Sequence, residues 1–232
     1  MQQAKPAERE AIMTDHITQL VKHYQGKIVE WDVVNEPLSD RDEDYRADGL
    51  RRHIWYQAMG QDYIAKAFRA ARAADPKAKL YLNDYGLEAD GERWDALIAL
   101  LKKLQQQNVP IDGVGFQAHI YKEADHVERA VLTKHMIQLS ALGLLSRISE
   151  IDVHGDDAEA QTEQYQTVLE SCMAVSTCTS FSTWGITDKY GSTTVDHSYP
   201  VDYGNDLMLD ANNSEKQAFT KISEILATKH KQ

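Results

Sequence analysis

Strand-forming and helix-forming segments alternate along this chain, and nearly every strand ends in polar or aromatic side chains. Runs rich in β-branched and aliphatic residues predict strands at 28–35, 79–84, 113–120, 144–153 and 178–186. Helical periodicity predicts helices at about 7–25, 53–74, 92–108, 124–142, 159–175 and 214–228. The first helix shows the spacing plainly in Ile12, Ile17, Leu20, Val21 and Tyr24. Alternation of this kind implies a parallel sheet, because parallel neighbours need a crossover, usually a helix, between them.

Two architectures satisfy the pattern, an open doubly wound sheet and a closed (β/α)8 barrel. The strand ends favour the barrel. Asn35-Glu36, Asn83-Asp84, Gln117 with His119, Glu150 with Asp152, and Trp184 fall toward the carboxyl ends of successive strands, where a barrel of this type builds its site. The glycine-rich phosphate loops G-x-G-x-x-G and G-x-x-x-x-G-K-[ST] are absent, and so is the G-x-S-x-G elbow of many esterases. At 232 residues, one α/β domain over 1–232 is expected.

Glu36 and Glu150 carry the strongest chemical suggestion. Cleaving an acetal takes one carboxylic acid to protonate the departing oxygen and one carboxylate to stabilise or capture the sugar carbon, so paired glutamates on rigid strand tips suggest glycoside hydrolysis. The formal charge of −11 argues against nucleic acid, whose binding draws on clustered Lys and Arg, and suits a neutral substrate. No apolar run approaches the roughly 18 residues of a membrane span, and Met1 to Pro6 lacks the apolar core of a signal peptide. A soluble chain without membrane association is expected. None of the nine His forms a metal-binding helical pair, so neither a metal nor another cofactor is expected. Cys172 and Cys178 are compatible with a disulfide, if the backbone turns back, or with two free thiols.

Other segments have plainer readings. Trp31 and Phe116 read as packing residues, and Asp32 as a backbone hydrogen-bonding partner. Asp40-Arg41-Asp42-Glu43-Asp44 reads as a solvated loop, Arg69 and Arg72 as a helix exterior, and 187–213 as a long loop. The sequon Asn212-Asn213-Ser214 is too short a pattern to carry weight.

Trp31-Asp32-Val33-Val34-Asn35-Glu36-Pro37 resembles the acid/base strand of glycoside hydrolase family ten, the endo-xylanases. Four later segments resemble that family's successive strands, in its order: Leu82-Asn83-Asp84-Tyr85, Gly113-Val114-Gly115-Phe116-Gln117-Ala118-His119, Arg147-Ile148-Ser149-Glu150-Ile151-Asp152-Val153 and Thr183-Trp184-Gly185-Ile186-Thr187-Asp188-Lys189-Tyr190. The resemblance implies a TIM-barrel enzyme that hydrolyses β-1,4-xylan or xylo-oligosaccharides with retention, Glu36 acting as general acid/base and Glu150 as nucleophile. It further implies that Asn35 binds the sugar 2-hydroxyl and that His119 and Asp152 form a pair orienting Glu150, with Asp152 fixing the imidazole tautomer. By the same resemblance Gln117 and Trp184 line the subsite at the cleaved bond, and Asn83 and Tyr85 continue its polar wall. The spacing of Cys172 and Cys178 also looks like a disulfide seen in the family.

Against that pattern the chain shows five strands, corresponding to the family's strands four to eight, with the first three absent. An incomplete barrel should leave an unpaired edge at strand 28–35. Beyond Tyr190 the family continues Ser-Trp, where this chain has Gly191-Ser192-Thr193-Thr194. Other functions compatible with these departures are an inactive carbohydrate-binding or assembly fragment that self-associates through its open barrel edge, and a hydrolase of aryl glycosides or mixed β-glucan. Because polymeric substrates lie outside cells, the resemblance implies a secreted or periplasmic location.

Overall fold

The computed structural model describes residues 5–40, 48–121, 125–190 and 205–229. They form two compact units, one built from Met1–Asp84, Asp90–Gly115 and Leu142–Leu144, the other from Tyr85–Ala89, Phe116–Ala141 and Leu145–Gln232.

The first unit contains α1 (Pro6–His23), β1 (Glu30–Asn35), α2 (Ile54–Met59), α3 (Asp62–Ala74), β2 (Lys79–Asp84), α4 (Glu92–Gln106) and most of β3 (Gly113–Phe116). Strands β1 and β2 pair in parallel from Glu30 opposite Lys79 to Asn35 opposite Asn83, with a register shift between Asp32 and Val34. Leu80, Tyr81 and Leu82 are all fully buried, so β2 is covered on both faces, as expected of a strand inside a parallel sheet. On α3, Ile64, Ala67, Phe68, Ala71 and Ala74 recur at helical spacing and are buried.

Position 60 interrupts the helix expected over 53–74. Gly60 has φ 59° and donates its N–H to the Tyr56 carbonyl, closing α2 where only glycine enters the left-handed region freely. Arg72 is not simply a helix-exterior residue. From the last turn of α3 it reaches the Pro76 and Ala78 carbonyls and the Asp112 carboxylate, which also accepts the Leu80 N–H. Strand β1 lies at the edge of the sheet order among the described residues. A cavity of about 480 Å³ is lined by β1, α1, α2 and α3, including Ile12, Ile17, Val33 and Trp55.

The second unit contains β4 (His119–Ile120), α5 (Arg129–Ala141), β5 (Leu145–Val153), α6 (Ala158–Met173), β6 (Cys178–Thr183), a 3-10 turn (Asp188–Tyr190) and α7 (Gln217–Lys229). Strand β5 is central, pairing in parallel with β4 and β6. Asp157 caps α6 by accepting the Glu159 and Ala160 N–H groups. Cys172 and Cys178 form a disulfide that ties the end of α6 to the start of β6.

Part of the expected loop 187–213 is built into this unit. The Asp206 carbonyl accepts from Val153 N and the Tyr165 hydroxyl, while Leu209 bridges to Thr187 and Glu215. Residues 191–204, including Gly191 to Thr194, lie outside the described residues, as do Arg41 to Asp44. Among the described residues no helix is long and apolar enough to cross a membrane.

Candidate active site

Parallel pairing places His119 opposite Asp152, and Glu150 precedes Asp152 by two residues on β5. Alternation along a strand sends Glu150 and Asp152 to one face and fully buried Ile151 to the other. The His119 ring meets both carboxylates. Nδ1 lies 2.7 Å from Asp152 Oδ1, and Nε2 lies 3.4 Å from Glu150 Oε2. Burial alone would depress the imidazole, but its hydrogen bonds to Asp152 and Glu150 outweigh that and push its pKa up to about 10. The shift favours the protonated ring, whose two nitrogens each face a carboxylate oxygen. Tyr121 stacks on the imidazole at 5.7 Å, and its hydroxyl donates to Asp152 Oδ2 at 3.2 Å.

Gln117 is buried next to a bend at Ala118, whose φ is 59°. This bend divides the strand expected over 113–120 into β3 and β4. The Glu88 carboxylate accepts the Ala118 N–H at 2.8 Å, and burial raises the pKa of Glu88. Trp184 follows β6 with its backbone N–H on the Ile151 carbonyl. Its indole packs edge-on against His119 at 6.0 Å and remains 52% exposed. At Gly185, with φ 145°, a Cβ would fall 2.8 Å from Leu207, so glycine permits the close approach. Tyr85 is half-buried.

In the first unit, Asn83 is fully buried, and its Nδ2 donates to Asn35 Oδ1 at 2.8 Å. Asn83 thus holds the more exposed Asn35 instead of forming an open polar wall. Glu36, the next residue, has φ 52°, and its N–H donates to the Asn83 carbonyl at 2.8 Å. Among the described residues five non-glycines have positive φ, and three are Asn, which tolerates this region. The other two are Glu36 and Ala118, both at strand tips that carry predicted site residues. Backbone outliers of this kind persist where surrounding structure imposes them.

A salt-bridged network surrounds Glu36. Arg51 Nη1 contacts Glu36 Oε2 at 3.3 Å, and Nη2 contacts Asp40 at 3.3 Å. Asp40 also meets Arg93 at 3.0 Å, and Arg93 meets fully buried Asp84 at 2.7 Å. Asp40 is exposed, as expected for a solvated loop, and is held by two guanidinium groups. Sequence reasoning missed Arg51, Arg93, Glu88 and Tyr121 because contacts between segments apart in the chain set their partners; an Asp at the tip of β2 was the available hint for Arg93. Among the described residues no cluster of three or more His, Cys, Asp or Glu side chains is arranged to hold a metal ion.

Parallel strands alternating with helices, with carboxylates, amides, an imidazole and an indole at the strands' carboxyl ends, define the TIM-barrel class of α/β proteins. A family model described as glycosyl hydrolase family 10 matches residues 1–225, and the chain belongs to that family. It is 39% identical over 187 residues to an endo-1,4-beta-xylanase of Agaricus bisporus, covering 78% of this chain and 53% of that protein. Endo-1,4-beta-xylanase B of Thermotoga neapolitana is 33% identical over 228 residues, covering 95% of this chain and 63% of that protein. The structure of xylanase 10B from Thermotoga petrophila RKU-1 in complex with xylobiose superposes with a TM-score of 0.88 at 31% identity, covering 98% of this chain and 68% of that one. The chain spans about half the length of several xylanases it matches. Its fold is of the TIM-barrel type, with six strands among the described residues.

Proposed function

We propose that this chain carries the catalytic carboxylates of a retaining endo-1,4-β-xylanase and hydrolyses β-1,4 bonds in xylan or xylo-oligosaccharides. The observation that carries this reading is the clamp on Glu150. His119, held 2.7 Å from buried Asp152, lies 3.4 Å from Glu150 and fixes a carboxylate oxygen for attack, and its raised pKa favours a positive charge there.

In the first step a Glu150 oxygen bonds to the anomeric carbon. The bond to the departing sugar oxygen breaks, and that oxygen takes the electron pair and the Glu36 proton. In the second, water adds its oxygen to the anomeric carbon and gives a proton to Glu36, while the bond to Glu150 breaks and restores the carboxylate. The reading requires the two carboxyl groups to work about 5 to 5.5 Å apart. Asn35, steadied by Asn83, accounts for 2-hydroxyl recognition, while Trp184, Gln117 and Tyr85 account for the surface at the cleaved bond. A polymeric substrate also implies secretion or a periplasmic location.

Proton NMR of the first-formed product provides the test. Retention gives the β-anomer; initial appearance of the α-anomer, or xylan hydrolysis surviving Glu150→Ala, would overturn the proposal.

A further inference from the structure

We infer that Arg51 positions the Glu36 carboxyl for proton transfer, a role that rests on Glu36 being the acid/base. The strained turn at Glu36 sends residues 37–39 alongside 49–51. Ser39 N–H donates to the Gly49 carbonyl, Arg51 N–H donates to the Pro37 carbonyl, and fully buried Leu38 and Leu50 face each other in an antiparallel bridge. This pairing brings Arg51, 15 residues along the chain, beside Glu36.

The guanidinium is held independently of Glu36. Nε donates to the Leu38 carbonyl and Nη2 to Asp40, while Asp40 is secured through Arg93 to Asp84. Asp84 Oδ2 also accepts the Leu38 N–H, returning the network to the same turn. With two of its nitrogens fixed elsewhere, the guanidinium presents Nη1 to Glu36 in one orientation. A rigid fork of this kind restricts the rotamers of the carboxylate it contacts. Both side chains of this pair are about one-third exposed, which leaves Glu36 able to exchange protons with water between the two steps.

A positioning role differs from hairpin bracing or sugar binding in its dependence on the leaving group. Xylo-oligosaccharides leave as alkoxide-like groups that need a proton, whereas 2,4-dinitrophenyl β-xylobioside leaves without one. In the full chain, Arg51→Met should lower kcat/KM on xylo-oligosaccharides about 10- to 100-fold, in line with the effect of small misplacements, with the loss in kcat and little change in KM. The dinitrophenyl substrate should lose less than about 3-fold, and Arg51→Lys, which restores the charge but not the fixed fork, should recover only part of the activity.

Equal losses on both substrates, a change confined to KM, or no selective loss would overturn the role of Arg51. Thermal melting of both variants identifies unfolding, and if Arg51→Met melts below the assay temperature, Arg51→Lys must show the same leaving-group selectivity in weaker form or the role falls. Glu36→Ala is the control. If it too lacks leaving-group selectivity, the acid/base assignment itself fails; if it is selective and Arg51→Met is not, only the role of Arg51 fails.

Discussion

The two glutamates are held in different ways. Glu150 sits within a regular strand, nearly buried, against an imidazole fixed by a second carboxylate. Glu36 sits just beyond its strand, on a left-handed turn, one-third exposed and touched by one arm of an arginine. The difference suits the proposed roles. A nucleophile needs a fixed, charged oxygen, whereas an acid/base must lose and regain a proton each turnover.

The sharpest way to break this comparison is to remove each carboxylate in turn. Glu150→Ala should reduce xylan hydrolysis by roughly 10⁴-fold or more on every substrate, as loss of a nucleophile does elsewhere. Glu36→Ala should cost about 10²- to 10⁴-fold on xylo-oligosaccharides, and much less in the first step on activated aryl glycosides. Steady-state kinetics on both substrate types would expose any symmetry between the two.

Asp152→Ala should come next. It removes the nearer of the two carboxylates facing His119 and should lower unfolding free energy by about 3–5 kcal/mol in denaturant titration, as breaking one half of a buried pair does. The equivalent loss for half-buried Arg51 should fall below about 1 kcal/mol if only its surface ion pairs count.

Acidity provides two finer tests. His119 has a folded-state pKa raised from 6.5 to about 10, so its stabilising contribution is complete below pH 6.5 and lost as pH rises through 10. The midpoint of denaturation should fall over that interval, and His119→Gln should flatten the decline. Asp206 is raised from 3.8 to about 6, with burial outweighing its contact with His154. The folded protein therefore binds that proton more tightly than the unfolded chain, favouring the fold below pH 3.8 and losing the contribution as pH rises through 6. Asp206→Asn should remove this smaller slope without altering the one at higher pH.

Much of this architecture was legible in the sequence because period and polarity are local. The alternation of strands and helices, and the polar ends of β1, β2 and β5, could be read from short windows. The break at Gly60 and the bend at Ala118 could not. A glycine is tolerated inside a helix at modest cost, and alanine gives no warning of positive φ. Asn35 and Asn83 were recognisable as strand-tip amides, but their hydrogen bond depends on register across 48 residues. Nothing local marks Arg51 or Arg93, because the fold, rather than sequence proximity, brings them to Glu36 and Asp84.

The left-handed backbone at Glu36 sets stability against chemistry at a single position. Glycine would enter that conformation without the roughly 1–2 kcal/mol that L side chains incur there. A selection that rewards only heat resistance would therefore drift toward glycine at position 36, enriching sturdier molecules that had discarded the proposed proton donor.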